Sequence, residues 1–214
     1  RHEDGVFFMT GRDRDGRDSR MISSKESGRT MTDSPGTGSD GLLAPVVDGY
    51  DGALPSGNAA AAGFLLRLGH LLGDQEVEEA GRSVLSAFAP AIEQAPLAHV
   101  AMLNALDFEL GPRTDIVLAG QPADAREDQA IAGMLKVVWG AYRPRAVWVY
   151  DGAQEAIRTR ELIPRLRVQG VVANQPSAYV CRDYTCHESV HTTDDLAVLL
   201  DDLDQQDQLA RLDH

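Results

Sequence analysis

The sequence is poor in cysteine, poor in basic residues and without a long apolar run. Two cysteines in 214 residues are too few for a disulfide framework, and such scarcity is typical of the reducing cytoplasm. No apolar stretch reaches the roughly 18 residues that a membrane-spanning helix needs. Nor does a basic and then apolar segment open the chain, as a secretory leader would. We therefore expect a cytoplasmic protein outside the membrane.

Basic charge is scarce because 20 Lys and Arg stand against 33 Asp and Glu, for a net charge of −13. The imbalance is strongest over residues 188–214, where eight acidic residues accompany one arginine. An acidic chain repels phosphate groups, so neither nucleic acid nor an anionic membrane is an expected partner.

Composition divides the chain into three regions. Residues 1–41 hold a strand-like run at 6–9 and then a stretch rich in Gly, Ser, Thr, Asp and Arg. That stretch cannot bury enough apolar surface to offset its ordering entropy, so we predict the end of an upstream strand followed by a disordered polar loop. Because the strand-like run begins almost at once, we expect the chain to be a fragment of something longer. Residues 42–111 read as helical, and 112–214 as a small α/β subdomain.

Local signals predict three helices in the second region. The first begins near Ser56 and stops at Gly73, and Asp74 caps the second. Pro96 begins the third, which has His99 on its apolar stripe and ends at Gly111. Short connections predict antiparallel helical hairpins.

The third region alternates between strand and helix patterns. Strands are predicted at 115–120, 146–150 and 177–181, with helices at 124–142 and 154–167 and a last helix from Thr192 or Thr193. Strand–helix–strand connections favour parallel pairing with a right-handed crossover. The predicted fold class is mixed α and α/β, with helical hairpins followed by a three-stranded parallel unit.

Four side chains that can bind a metal fall within eleven positions: Cys181, Cys186, His187 and His191. Zinc fingers separate their cysteine pair from their histidine pair by about a dozen residues, and here nothing separates them. Thioredoxin-type cysteines stand two apart at a helix N-terminus, whereas Cys181 ends a strand. We predict no metal site and two unpaired thiols, with Cys181 as a small buried residue and both histidines in an exposed loop.

No cofactor is predicted. Gly120 follows an apolar strand, but the sequence from it, GQPADAREDQ, has one glycine, a proline and three acids. A dinucleotide site needs a G-x-G-x-x-G turn whose backbone amides meet phosphate, so we interpret Gly120 as an ordinary turn.

The stretch DGYDGALPSGNAAAAG, residues 48–63, leaves two interpretations open. Ser56 and Asn58 can simply cap a helix. Alternatively, Asp51, Ser56 and Asn58, together with Asp48, form a polar rim suited to sugar hydroxyls. His99 is more often a hydrogen-bonded core histidine than a catalyst in such a setting.

Four motifs carry a family resemblance: DGALPSGN at 51–58, ALDF at 105–108, AYVCRDYTC at 178–186 and TDDL at 193–196. In this order, over residues 42–200, the chain resembles the C-terminal portion of the YyaL-type thioredoxin-domain-containing proteins, the spermatogenesis-associated family of animals. The resemblance implies an N-terminal thioredoxin-like domain and a toroid of paired helices similar to that of six-hairpin glycosidases. This chain would hold the last part of that (α/α)6 toroid.

Two functions follow from the resemblance. The chain is structural support for a carbohydrate-active or redox-linked parent, whose remainder is then its partner. Alternatively, it is part of a sugar epimerase- or glycosidase-like enzyme, with Asp51, Ser56, Asn58 and His99 as substrate-binding residues and a carbohydrate ligand bound through the parent toroid. No catalytic residue is assigned in either case, because the paired carboxylates that glycoside chemistry needs would come from the missing ring.

Overall fold

The computed structural model describes residues 48–120, 125–152, 160–167, 175–183 and 185–212. The upstream strand and polar loop predicted at 1–41 lie outside these residues. So do residues 154–159 of the helix predicted at 154–167. The described α-helices are α1 (Gly57–Leu72), α2 (Gln75–Gln94), α3 (Val100–Leu110), α4 (Ala125–Gly140) and α5 (Thr193–Leu212). The described strands are β1 (Thr114–Ala119), β2 (Ala146–Asp151), β3 (Ser177–Arg182) and β4 (Thr185–Cys186).

The first helix begins and ends, and the second begins, at the predicted residues. The Ser56 hydroxyl accepts from the Ala59 N–H at 3.1 Å, and Gly73 ends α1 with φ +67°, a conformation that favours glycine. Asp74 caps α2 by accepting from the N–H groups of Glu76 and Val77. These caps confirm both helix boundaries.

Helices α1 and α2 pack antiparallel and close together because glycines lie between them. A Cβ atom on Gly69 would come within 2.6 Å of the Glu78 backbone nitrogen, and one on Gly81 within 2.8 Å of Leu66 Cγ. The pairing of 69 with 78 and of 81 with 66 fixes the antiparallel arrangement. Helix α3 completes a small bundle whose buried core is Ala59, Ala62, Leu66, Val84, Leu85, Phe88, Ile92, Met102, Ala105 and Phe108.

The third helix departs from the prediction at its start. Pro96–Ala98 forms a 3₁₀ turn, and α3 begins only at Val100, so His99 is the residue before the helix rather than a member of its apolar stripe. The 3₁₀ bonds, Ala98 N–H to Ala95 O and His99 N–H to Pro96 O, use carbonyls that a continuous helix would give to later residues.

The sheet has the order β2-β1-β3-β4. Strands β1 and β2 are parallel, as expected, with Ala119 opposite Asp151. The expectation of a three-stranded parallel sheet is wrong, because β3 runs antiparallel to β1 and places Ser177 opposite Ala119. The chain thus leaves β2 and enters β3 at the same end of the sheet, without the crossover that parallel pairing requires. The short strand β4 was not predicted; it pairs antiparallel with β3.

Both faces of the sheet are covered, and every residue of β1 is buried. One face packs on α4 and α5, with Ile116, Leu118, Met134, Val138, Ala178, Val180, Leu196, Leu200 and Leu203 in its core. The other packs Val117 against Ile163, Leu166 and the end of α1. In the parts of the chain described here, no helix has the length and apolar character to cross a bilayer.

Candidate functional site

The predicted rim residues gather around one loop, residues 48–56, and Asp51 is its centre. One Asp51 carboxylate oxygen accepts from the Ser56 N–H at 2.8 Å, and the other accepts from the Ala101 N–H at 2.7 Å. The Asp51 N–H donates to the Ala98 carbonyl at 2.8 Å. Asp51 therefore joins the start of α1 to the start of α3.

The other rim residues also bond to backbone groups. Asn58 is 2% exposed, and its side-chain amide donates to the Asp48 carbonyl at 2.9 Å. His99 is also buried, and its Nδ1 lies 2.7 Å from the Gly49 carbonyl; because a carbonyl only accepts, Nδ1 carries the proton. The structure thus brings Asp51, Ser56, Asn58 and His99 together, and each helps to hold the loop on the helix ends.

A buried ionic group that the sequence did not reveal lies between the helices and the sheet. His70 Nε2 is 2.8 Å from an Asp115 carboxylate oxygen, and His70 Nδ1 is 3.2 Å from an Arg113 guanidinium nitrogen. Since a guanidinium only donates, His70 Nδ1 accepts the hydrogen bond from Arg113. The ring proton is therefore on Nε2, which donates a hydrogen bond to the Asp115 carboxylate. The side chains of His70 and Asp115 are 3% and 9% exposed, which leaves neither open to a substrate.

The group continues onto the second and third helices. Arg113 donates to Glu109 at 2.6 Å, Arg82 donates to Glu109 at 2.7 Å, and Arg82 also pairs with Glu78. The hydrogen bond that Arg82 donates to the Glu109 carboxylate raises the pKa of Arg82 above its usual value. We name this set the central cluster: His70, Glu78, Arg82, Glu109, Arg113 and Asp115. The one signal in the sequence was Asp115, a charged residue opening a buried apolar strand, which calls for a buried partner.

A second group of charges borders a cavity of about 390 Å³ between α5 and the connector at 141–146. Arg143 Nε lies 2.9 Å from Asp204, and Arg182 pairs with Asp207. We name this set the tail cluster: Arg143, Arg182, Asp201, Asp204 and Asp207. The cavity lies away from the rim residues, and none of them lines it.

The cysteine segment differs from its prediction. Cys181 is buried, as expected, but it forms a disulfide with Cys186, so the prediction of two unpaired thiols is wrong. The β3–β4 hairpin places the two residues opposite each other, and this pairing could not be anticipated without β4. His187 is exposed, while His191 is partly buried with Nδ1 3.1 Å from the Ser177 hydroxyl. Among the described residues, no three His, Cys, Asp or Glu side chains are arranged so that they could hold a metal ion.

Comparison with known proteins gives a consistent set of relatives. The chain is 30% identical over 155 residues to spermatogenesis-associated protein 20 of Homo sapiens, which covers 72% of this chain and 19% of the relative. The proteins of the same name from Rattus norvegicus and Mus musculus are 29% and 28% identical over 154 residues. No protein-family model and no solved structure matches. The chain spans about a fifth of the length of these curated relatives, 19% in each case. Over 72% of its length, then, the chain is related to spermatogenesis-associated protein 20.

Proposed function

We propose that the chain is the C-terminal region of a thioredoxin-domain-containing member of this family, and that it supports the last helices of a glycosidase- or epimerase-like toroid. The parent is then carbohydrate-active or redox-linked, and it resides in the cytoplasm, as the low cysteine content favours. The relatedness to spermatogenesis-associated protein 20 supports the family. The motifs quoted above support the toroid and the thioredoxin-like domain.

The observation that carries the supporting role is the use of Asp51. Both of its carboxylate oxygens accept backbone N–H groups, one at the start of α1 and one in the first turn of α3. These charge-assisted bonds hold two helices and a loop in register, which is a structural use of the carboxylate.

The central cluster supports the same role. Its members come from α1, α2, α3, the connector before β1, and β1 itself, so its ion pairs together with the His70–Asp115 hydrogen bond join the helical bundle to the sheet. Buried charges are tolerated only when each is paired, and removing one partner of a buried pair costs about 3–5 kcal/mol. The charged groups of the central cluster thus bind helices and sheet to one another.

A comparison of two aspartates in the same loop tests the proposal. Asp51→Ala leaves two backbone N–H groups without an acceptor, so we expect the free energy of unfolding to fall by about 3 kcal/mol. Asp48→Ala removes only a local bond to the Tyr50 N–H at 2.8 Å, and we expect a loss of under about 1 kcal/mol. Denaturant unfolding of the full-length protein measures both. Equal losses in the two variants would refute the supporting role of Asp51.

The sugar-binding alternative rests on the convergence of Asp51, Ser56, Asn58 and His99 beside Tyr50, whose ring is 63% exposed and could stack on a sugar. Isothermal titration of the full-length protein with N-acetylglucosamine, mannose and glucose distinguishes the two functions. Binding that Asn58→Ala abolishes while the unfolding transition is preserved would favour the enzyme. Absence of binding by the unmodified protein leaves the supporting role.

A further inference from the structure

We propose that Cys181 and Cys186 form a reversible thiol–disulfide exchange site whose substrate is a dithiol reductant, and that the sulfur of Cys186 is the one attacked. The bond joins two residues that face each other across the β3–β4 hairpin, only five positions apart in sequence. Nothing in the proposed supporting role depends on this chemistry.

The two sulfurs differ in accessibility. Cys181 is 5% exposed and lies within β3, between β1 and β4. Cys186 is exposed and ends the two-residue strand at the edge of the sheet. Exchange requires an external thiolate to approach the sulfur that it attacks, so the accessible residue is Cys186.

The hairpin and the segment after it are held by bonds other than the disulfide. The segment after the hairpin is held by the His187 N–H to the Val180 carbonyl at 2.9 Å, and by paired backbone bonds between Ala178 and Val190 at 2.7 and 3.0 Å. Because the bond closes a loop of only five positions, its removal gives the unfolded chain less new freedom than the loss of a long-range disulfide would. The cysteines therefore remain neighbours after reduction, which makes the bond easy to restore.

The reaction balances with a dithiol as the two-electron reductant. One thiolate of the dithiol attacks the sulfur of Cys186, the bond between the cysteines breaks, and Cys181 leaves as a thiolate that takes up a proton. The second thiolate of the dithiol then attacks the reductant sulfur in the mixed disulfide. It releases Cys186, which also becomes a thiol after protonation, and the reductant departs as a disulfide.

Burial shields Cys181 from outside reagents after reduction as well. It lies directly opposite Asp115 in the β1–β3 pairing, so the two side chains share a face of the sheet. Cys186, exposed at the edge, is the sulfur that reacts with outside molecules.

Differential alkylation tests this assignment. The full-length protein, purified without reductant, is treated with millimolar dithiothreitol near neutral pH and sampled with iodoacetamide, and each cysteine is quantified by peptide mass spectrometry. We expect no alkylation before reduction, then alkylation of Cys186 at least about tenfold faster than of Cys181, with an unchanged far-ultraviolet circular dichroism spectrum. Oxidised glutathione should then restore the bond.

Single-cysteine variants provide the matched control. Cys181→Ser, which keeps Cys186, should form a mixed disulfide with oxidised glutathione under native conditions. The amount of mixed disulfide in Cys186→Ser should be at least about tenfold smaller. The proposal fails if the unmodified protein is alkylated without reductant, if reduction requires denaturant, if the two cysteines react at equal rates, or if reduction unfolds the chain. The unmodified protein alone decides these outcomes should a variant not fold.

Discussion

On the sheet face that packs against α4 and α5, the central residues of β1 and β3 are all apolar, whereas the opposite face carries Asp115 and Cys181 beside Val117 and Tyr179. Charges near the first face belong to the tail cluster and lie at its rim, where Asp201 is 69% exposed. Charges on the second face belong to the central cluster, whose side chains are mostly buried, with Arg82 the exception at 36% exposed. The same residue types therefore have different energetic consequences on the two faces, because water screens one set and is excluded from the other.

The largest expected effect comes from breaking the buried face. Asp115→Asn removes the negative charge of the carboxylate that accepts the hydrogen bond from His70 Nε2. The positive charge of the adjacent Arg113 then has less negative charge near it. We expect the free energy of unfolding to fall by about 3 kcal/mol, with little dependence on salt because the pair is buried. Denaturant unfolding at low and high NaCl measures both quantities. A loss that high salt removes would place Asp115 in contact with water.

The same substitution on the other face should have a moderate effect. Asp204→Asn weakens the 2.9 Å contact with Arg143, and the Asp204 side chain is 34% exposed. We expect a loss of under about 1 kcal/mol, most of which disappears in 1 M salt because exposed pairs are screened. Unfolding measured in parallel with Asp115→Asn makes the comparison direct. If Asp204→Asn cost as much as Asp115→Asn, the distinction between the two faces would not hold.

The smallest expected effect concerns alkaline pH. Burial raises the pKa of Tyr179, and burial together with Asp128 and Asp151 raises the pKa of Tyr150, above the usual value of 10.0. The unfolded chain then releases these protons first, so stability is complete below pH 10 and falls as the pH rises through the folded pKa values.

Removing either hydroxyl should reduce that alkaline loss. Tyr179→Phe reports on the face of the central cluster, and Tyr150→Phe reports on the face covered by α4. Thermal unfolding between pH 9 and 11 should show a flatter decline for each variant than for the unmodified chain. Identical slopes in all three proteins would mean that both phenols titrate as they do in water.

The helices were predictable because their signals are local. Ser56, Gly73 and Asp74 cap or end their helices through bonds within a few positions, so their sequence neighbours suffice. The direction of β3, the disulfide and the central cluster depend on residues far apart in the chain. His70 and Asp115 are 45 positions apart, and no local pattern signals their contact.

The candidate site was predictable only in part. Asp51, Ser56 and Asn58 stood out because they lie just before a helix or in its first turn, and the structure places them together. What they bind was not readable, since the acceptors and donors are backbone groups such as Ala101 N–H and Asp48 O. Nearly every residue has the same backbone N–H and C=O groups, so the sequence does not show which of them a polar side chain will bind. A polar motif that holds a loop in place therefore has the same sequence pattern as one that binds a ligand.

Gly69 and Gly81 let α1 and α2 approach closely, since an added Cβ atom there would meet Glu78 or Leu66. The two helices are therefore closely packed at these positions. The Asp51 loop lies at one end of α1 and the buried His70 near the other. A ligand or partner that tilts the loop would therefore also change the distance between His70 and Asp115, some four turns away along α1.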